Sequence, residues 1–184
     1  AAATRQANID RGTEVIVGEI EAADNELTVT PNGTATTDAI TITLNDEDKG
    51  GSIDLASLTL EGFESITINS TGTDSTTGFI TTVVDNSITT LLGLSSDADL
   101  NVTGDKKLTA TVEASFTDID VTNTAGSDIT VAAGGALNYL GGAANDRLEL
   151  DTVADLAATD VLDGGAGTDT LAFSQIPLAI TAAQ

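Results

Sequence analysis

Short apolar–polar alternation, with threonine as the usual polar partner, restricts this chain to β-structure. It recurs in Leu27-Thr28-Val29-Thr30, Ile40-Thr41-Ile42-Thr43-Leu44, Ile66-Thr67-Ile68 and Leu100-Asn101-Val102-Thr103. Leu108-Thr109-Ala110-Thr111-Val112, Ile119-Asp120-Val121-Thr122 and Ile129-Thr130-Val131 continue it. A period of two puts the apolar side chains on one face of an extended strand and the polar ones on the other. The β-branched residues that dominate both faces favour strands over helices. Turn formers punctuate the runs at Asn32-Gly33, Gly50-Gly51, Gly72, Gly104-Asp105, Gly126 and Gly134-Gly135. The chain therefore reads as all-β.

Strand spacing refines the architecture. From residue 100 the apolar runs start at Leu100, Leu108, Ile119, Ile129, Leu137 and Leu148, about 8 to 11 residues apart. Short strands at that interval, joined by turns without the Asn-Gly or Asp-Gly pairs of tight hairpins, fit the rungs of a solenoid. Residues 96–184 are predicted to form a right-handed parallel β-helix or β-roll-like solenoid. Over residues 1–95 the spacing is looser, so that Thr-rich region is expected to be either a β-sandwich or more solenoid. Thr13 to Ala23 alternates poorly and is a candidate helix, and a single helical turn is expected at Val153 to Ala158. Tyr139 and the four Phe residues are expected to plug the core.

Composition removes several function classes. The chain of 184 residues contains no Cys and no His, so disulfides, thiolate or imidazole metal sites and the His-dependent catalytic triads are absent. Its 29 acidic residues against 6 basic ones give a net charge of -23, which repels nucleic acid and anionic lipid. No apolar run reaches the length of about 18 residues that a membrane-spanning helix needs. Asp118 and Asp120 share a strand face roughly 7 Å apart, within the range of inverting glycosidases. With almost no aromatic surface for a sugar to stack on, no enzyme is expected. Lys106-Lys107 is too small a basic spot for an anion site.

The most specific motif is a pair of glycine-rich acidic turns. One is Gly141-Gly142-Ala143-Ala144-Asn145-Asp146-Arg147-Leu148-Glu149 and the other Gly164-Gly165-Ala166-Gly167-Thr168-Asp169-Thr170-Leu171-Ala172. The second matches every fixed position of the nonapeptide G-G-x-G-x-D-x-U-x; the first departs only at Ala144. Glycines allow backbone angles closed to other residues, and Asp adds a hard carboxylate. Oxygen ligands of this kind suit calcium (Ca2+). The alternative is a tight turn in which Asp169 caps its own backbone. Asn45-Asp46-Glu47-Asp48-Lys49-Gly50 also has an Asp-x-Asp-x-Gly pattern, but Ser57 stands where an EF-hand places its bidentate Glu. It reads as a solvated acidic turn, and Glu19, Glu21, Asp24 and Glu26 as a solvated face.

Over roughly residues 137 to 173 the sequence resembles the calcium-binding repeats of RTX proteins exported by bacterial type I systems. It is nearer still to their surface-layer (S-layer) relatives, in which Thr-rich β-repeats alternate with isolated turns of this kind. The resemblance implies calcium ligation by the side chains of Asp146 and Asp169 and by carbonyls around Gly142, Gly165 and Gly167. It also implies a secreted bacterial cell-surface protein that self-associates into a lattice, without catalysis. The departure from the family is the spacing: the second turn begins at Gly164 and the first at Gly141, a wider interval than the two nonapeptides per coil of an RTX roll. If residues 141–163 form one coil, the turns stack and hold an ion between them with help from Asn145. If not, each site is completed locally by Asp151, Asp160 or Asp163. The alternative function is a calcium-stiffened adhesin or accessory module whose further partner is a cell-surface glycan. The start, Ala1-Ala2-Ala3-Thr4, shows no signal peptide and the end no export signal, so the sequence reads as a fragment.

Overall fold

The computed structural model describes residues 3–10, 12–18, 25–33, 37–45, 51–93, 95, 98–113, 116–132 and 136–175. Two parallel sheets face one another and the chain passes back and forth between them, making a β-solenoid of about six coils. One sheet stacks β1 (Ala3–Ile9), β3 (Asn25–Pro31), β6 (Ser57–Leu60), β10 (Asp85–Gly93), β12 (Lys107–Glu113), β14 (Ser127–Ala132), β16 (Arg147–Thr152) and β18 (Thr170–Gln175), with β5 (Asp54–Leu55) also on β10. The other stacks β2 (Glu14–Val17), β4 (Ala39–Leu44), β7 (Ser65–Ser70), β11 (Ala98–Gly104), β13 (Phe116–Val121), β15 (Asn138–Leu140) and β17 (Val161–Asp163). A third, two-stranded antiparallel sheet joins β8 (Ser75–Thr77) to β9 (Ile80–Thr82).

The period of two becomes columns of like residues between the sheets. Ile40, Ile66, Leu100, Ile119, Tyr139 and Leu162 lie in register on successive strands, as do Ala110, Ile129, Leu148 and Leu171 opposite. Burying one such Leu or Ile side chain contributes about 1.5–3 kcal/mol, so each coil is held mainly by its neighbours. Thr, Asn and Asp occupy the outward positions. The same two sheets continue from the C-terminal strands back to β1 and β2, so the N-terminal region is solenoid, not sandwich.

Coil length explains the looser spacing there. Ser65 pairs with Asp99 and Asp99 in turn with Asp118, so the coil that starts at Ser65 is far longer than the next. Extra residues in the early coils sit in excursions such as β8–β9. The candidate helix at Thr13 to Ala23 is not formed where it is described: Glu14–Val17 is strand β2, paired with β4, because Val15 and Val17 face the core. The helical turn of the last full coil is a 3-10 turn, Val153–Asp155, capped reciprocally by Thr152 and Asp155. Four of the five aromatic residues pack inward, but Phe79 does not; it is fully exposed at the tip of β8–β9. Residues 46–50 and Glu19, Glu21 and Asp24 lie outside the described residues, as do Gly134 and Gly135. No helix among the described residues is long and apolar enough to cross a membrane.

Candidate metal centre

Each glycine-rich turn leads from a strand of one sheet to a strand of the other. Gly141–Asp146 joins β15 to β16 and Gly164–Asp169 joins β17 to β18. Tyr139 pairs with Leu162 and Arg147 with Thr170, so the strand register on both sides superposes one turn on the other. Hydrogen bonds run the length of the stack. Gly141 N–H donates to Asp163 O (2.7 Å), Ala166 N–H to Gly142 O (2.8 Å) and Thr170 N–H to Asp146 O (2.9 Å). Thr168 N–H donates to Asn145 Oδ1 at 2.8 Å. Residues 141–163 are thus one coil.

Contact this close explains the glycines. Gly165 has φ 76°, and a Cβ there would lie 2.2 Å from Gly142 O; at Gly167, φ 133°, it would lie 2.3 Å from Ala144 O. Backbone oxygens of the first turn therefore press against the Cα positions of the second.

The aspartates link coils rather than only their own turns. Asp169 Oδ1 accepts from Asp146 N–H at 2.9 Å. Asp146, 3% exposed, reaches the coil before: Oδ1 accepts from Ser127 N–H (2.8 Å) and from Ser127 Oγ–H (3.0 Å). Its Oδ2 accepts from Gly142 N–H at 3.0 Å. Asp169 caps the preceding coil and not its own backbone. Asp163 Oδ1 accepts from Gly165 N–H at 2.9 Å. The other two candidates sit apart. Asp160 accepts from the Leu137 and Ala157 N–H groups, and Asp151 takes a hydrogen bond from Gln175.

Beneath the second turn lies a cavity of about 240 Å³, lined by Asp146, Asp163 and Asp169 with Tyr139, Leu162 and Leu171. The Tyr139 hydroxyl is buried with no partner in hydrogen-bonding geometry among the described residues. Burial, opposed by Ser127 and reinforced by the charges of Asp146, Asp169 and Asp128, pushes its pKa up to about 12. Below pH 10 folded and unfolded chains both keep the proton. Between pH 10 and 12 only the unfolded chain loses it, so stability falls as pH rises through that window, by about 2 kcal/mol in all. Tyr139 is the only tyrosine and the chain has no Trp, so phenolate absorbance reads the group directly. Its midpoint is expected near 12 and coincident with unfolding; an ordinary midpoint with the fold intact would contradict this environment.

Calcium can be weighed against these donors. They are all hard oxygens, and an orphaned hydroxyl and three carboxylates meet around one space, so the donor chemistry fits. The geometry is not preformed: no group of three or more carboxylates converges to metal-binding distance among the described residues. Asp146, Asp163, Asp169, Asn145 Oδ1 and the carbonyls of Gly141 and Gly142 are the groups that would hold the ion.

A second acidic feature was legible in the sequence only as its Asp118 and Asp120 pair. Asp99, Asp118, Asp120 and Asp163 line an open groove of about 580 Å³ on the outer face of β11, β13, β15 and β17. Asp99 and Asp118 are register neighbours, and Asn138 donates to Asp118 Oδ1 at 2.8 Å. Asp118 and Asp120 do share this face. Arg147 lies on the opposite sheet, occupied by Asp128 (2.8 Å) and Glu149. Comparison with protein-family models, with curated proteins and with solved structures gave no match to this chain.

Proposed function

We propose that this β-solenoid is a structural domain of a secreted bacterial surface-layer-type protein, with calcium-dependent folding and self-assembly on the cell surface. The observation that carries the reading is the strand register, which lays one glycine–aspartate turn on the other around Asp146, Asp163 and Asp169. Calcium would add positive charge beside the carboxylates that line this space. Binding to the folded chain alone turns binding energy into stability. Where calcium is scarce, the charge of -23 disfavours compaction.

Calcium at a hundredfold excess over its Kd is expected to stabilise the fold by about 2.7 kcal/mol, a rise in Tm of about 5–10 °C over the same protein in chelator. It should also lower the Tyr139 pKa, by neutralising Asp146 and Asp169. Asp169→Ala is expected to reduce both effects. A Tm and a Tyr139 titration indifferent to calcium would exclude this centre.

The acidic groove favours a second reading, a surface-binding module. Leu140 (48% exposed) and Val161 (61% exposed) add apolar contact to its four carboxylates. A domain of that kind would stay monomeric with calcium and bind a cell-surface glycan.

A further inference from the structure

The hairpin β8–β9 stands outside the solenoid. Ser75 pairs with Thr82, Thr76 with Thr81 and Thr77 with Ile80, which leaves Gly78-Phe79 as a two-residue turn. Gly78, at φ 67°, supplies the backbone angle that such a turn requires. Its base is fixed. Asp74 Oδ1 accepts from Val84 N–H (3.0 Å) and from Lys106 Nζ (2.9 Å), and Val84 is fully buried. Its tip is bare: Phe79 is completely exposed and Ile80 72%, and Val83, beside the base, is 61% exposed.

Three features of this finger are unusual for a surface excursion. It carries the one aromatic side chain of the protein that is left fully in water. Neither of its outer strand edges pairs with another strand among the described residues, and two strands alone are marginal in water until a third strand or a packed face completes them. From Ser75 to Val84 it also holds no charged residue, in a chain of net charge -23. That last feature selects the partner. Two copies of so acidic a chain repel wherever their carboxylates meet, so close contact is favoured where both surfaces are neutral and apolar. A cationic partner would instead be drawn to the Asp-lined faces.

We propose that β8–β9 is the contact through which a second copy of this chain docks, finger against finger, with the strand edges paired into one sheet and Phe79 and Ile80 of the two copies packed against each other. Such a contact is isologous: one patch, self-complementary across a two-fold axis. The inference rests on the self-association in the function proposed above and names the surface that carries it.

Sedimentation velocity over micromolar to millimolar concentrations, in chelator and in calcium, tests it. The wild-type chain is expected to dimerise with concentration. Phe79→Ser should weaken the dimer at least about tenfold with Tm unchanged, since the ring is left in water in its own copy. Thr81→Pro should do the same by removing an N–H that the alternating hairpin pattern turns outward. Ile16→Ser, at an exposed position on the end strand β2, should leave the dimer intact. A wild-type chain monomeric throughout would overturn the proposal. So would a dimer that ignores both finger substitutions, or one dissolved by Ile16→Ser alone. Retention of a monomeric wild-type chain on neutral phosphatidylcholine vesicles through Phe79 would overturn it in favour of a lipid surface. The calcium reading fails separately: a finger-dependent dimer with a Tm indifferent to calcium removes the metal centre and leaves the finger.

Discussion

Asp146→Ala is expected to destabilise the solenoid by about 3–5 kcal/mol, lowering Tm by about 10 °C or more. The side chain is a buried carboxylate that takes three hydrogen bonds, from Ser127 N–H, Ser127 Oγ–H and Gly142 N–H. Removing it strands backbone donors inside the stack, at about 1–3 kcal/mol for each group left unsatisfied. Asp146→Asn separates the contributions. Its Oδ1 still serves Ser127, but the amide nitrogen then faces the Gly142 N–H, donor against donor, so an intermediate loss is expected. Asp169→Ala removes the bond to Asp146 N–H from a more exposed site and should cost about 1 kcal/mol in the absence of calcium. Chemical denaturation of the three variants in chelator should therefore rank them Asp146→Ala, Asp146→Asn, Asp169→Ala. Equal losses at Asp146 and Asp169 would mean that the buried link to Ser127 is not what holds these coils together.

That ranking also marks where sequence reasoning stopped. The strands were legible because a period of two survives in any sheet: Leu100, Leu108 and Ile129, where apolar runs start, all fall near the beginnings of β11, β12 and β14. The coils were legible where they are short and even. They were ambiguous where Ser65 and Asp99 are separated by an inserted finger. The glycine-rich turns were found by pattern and their stacking was posed by the interval between them, but the work of Asp146 was not readable. The same carboxylate oxygens serve a cation or a neighbouring N–H, and only the position of Ser127, on the coil before, shows which donors are at hand. Phe79 was misread for a related reason. An aromatic residue in an apolar, β-branched run looks like core, and nothing in Thr77-Gly78-Phe79-Ile80 announces that both strands leave the solenoid.

Gly104→Ala should be as damaging as the loss of Asp146, through sterics alone. Gly104 ends β11 at φ 109°, and a Cβ there would lie 2.0 Å from Ser70 O and 2.9 Å from Ser70 N. The obstacle is the backbone of the coil below, so no side-chain rotation relieves it. Ser70 is itself buried, and its carbonyl accepts from Asp105 N–H and Lys106 N–H, both at 3.0 Å. Thr124 N–H in turn donates to Gly104 O at 2.9 Å. The methyl group thus separates three coils joined at one corner. An unfavourable backbone conformation costs about 1–2 kcal/mol and overpacking about 1–3 more, for a total of about 2–5 kcal/mol. Gly78→Ala is the matched control, because its φ is also positive, at 67°, but nothing lies within 4 Å of the added methyl group. It should cost about 1 kcal/mol, confined to the finger. Coils contact mainly their neighbours, so a break at Gly104 is expected to divide a single unfolding transition into two, with the coils after Lys107 melting apart from those before Ser70. One sharp transition, shifted no further than in Gly78→Ala, would show that the corner yields and that the contact at Ser70 is not a fixed point of the solenoid.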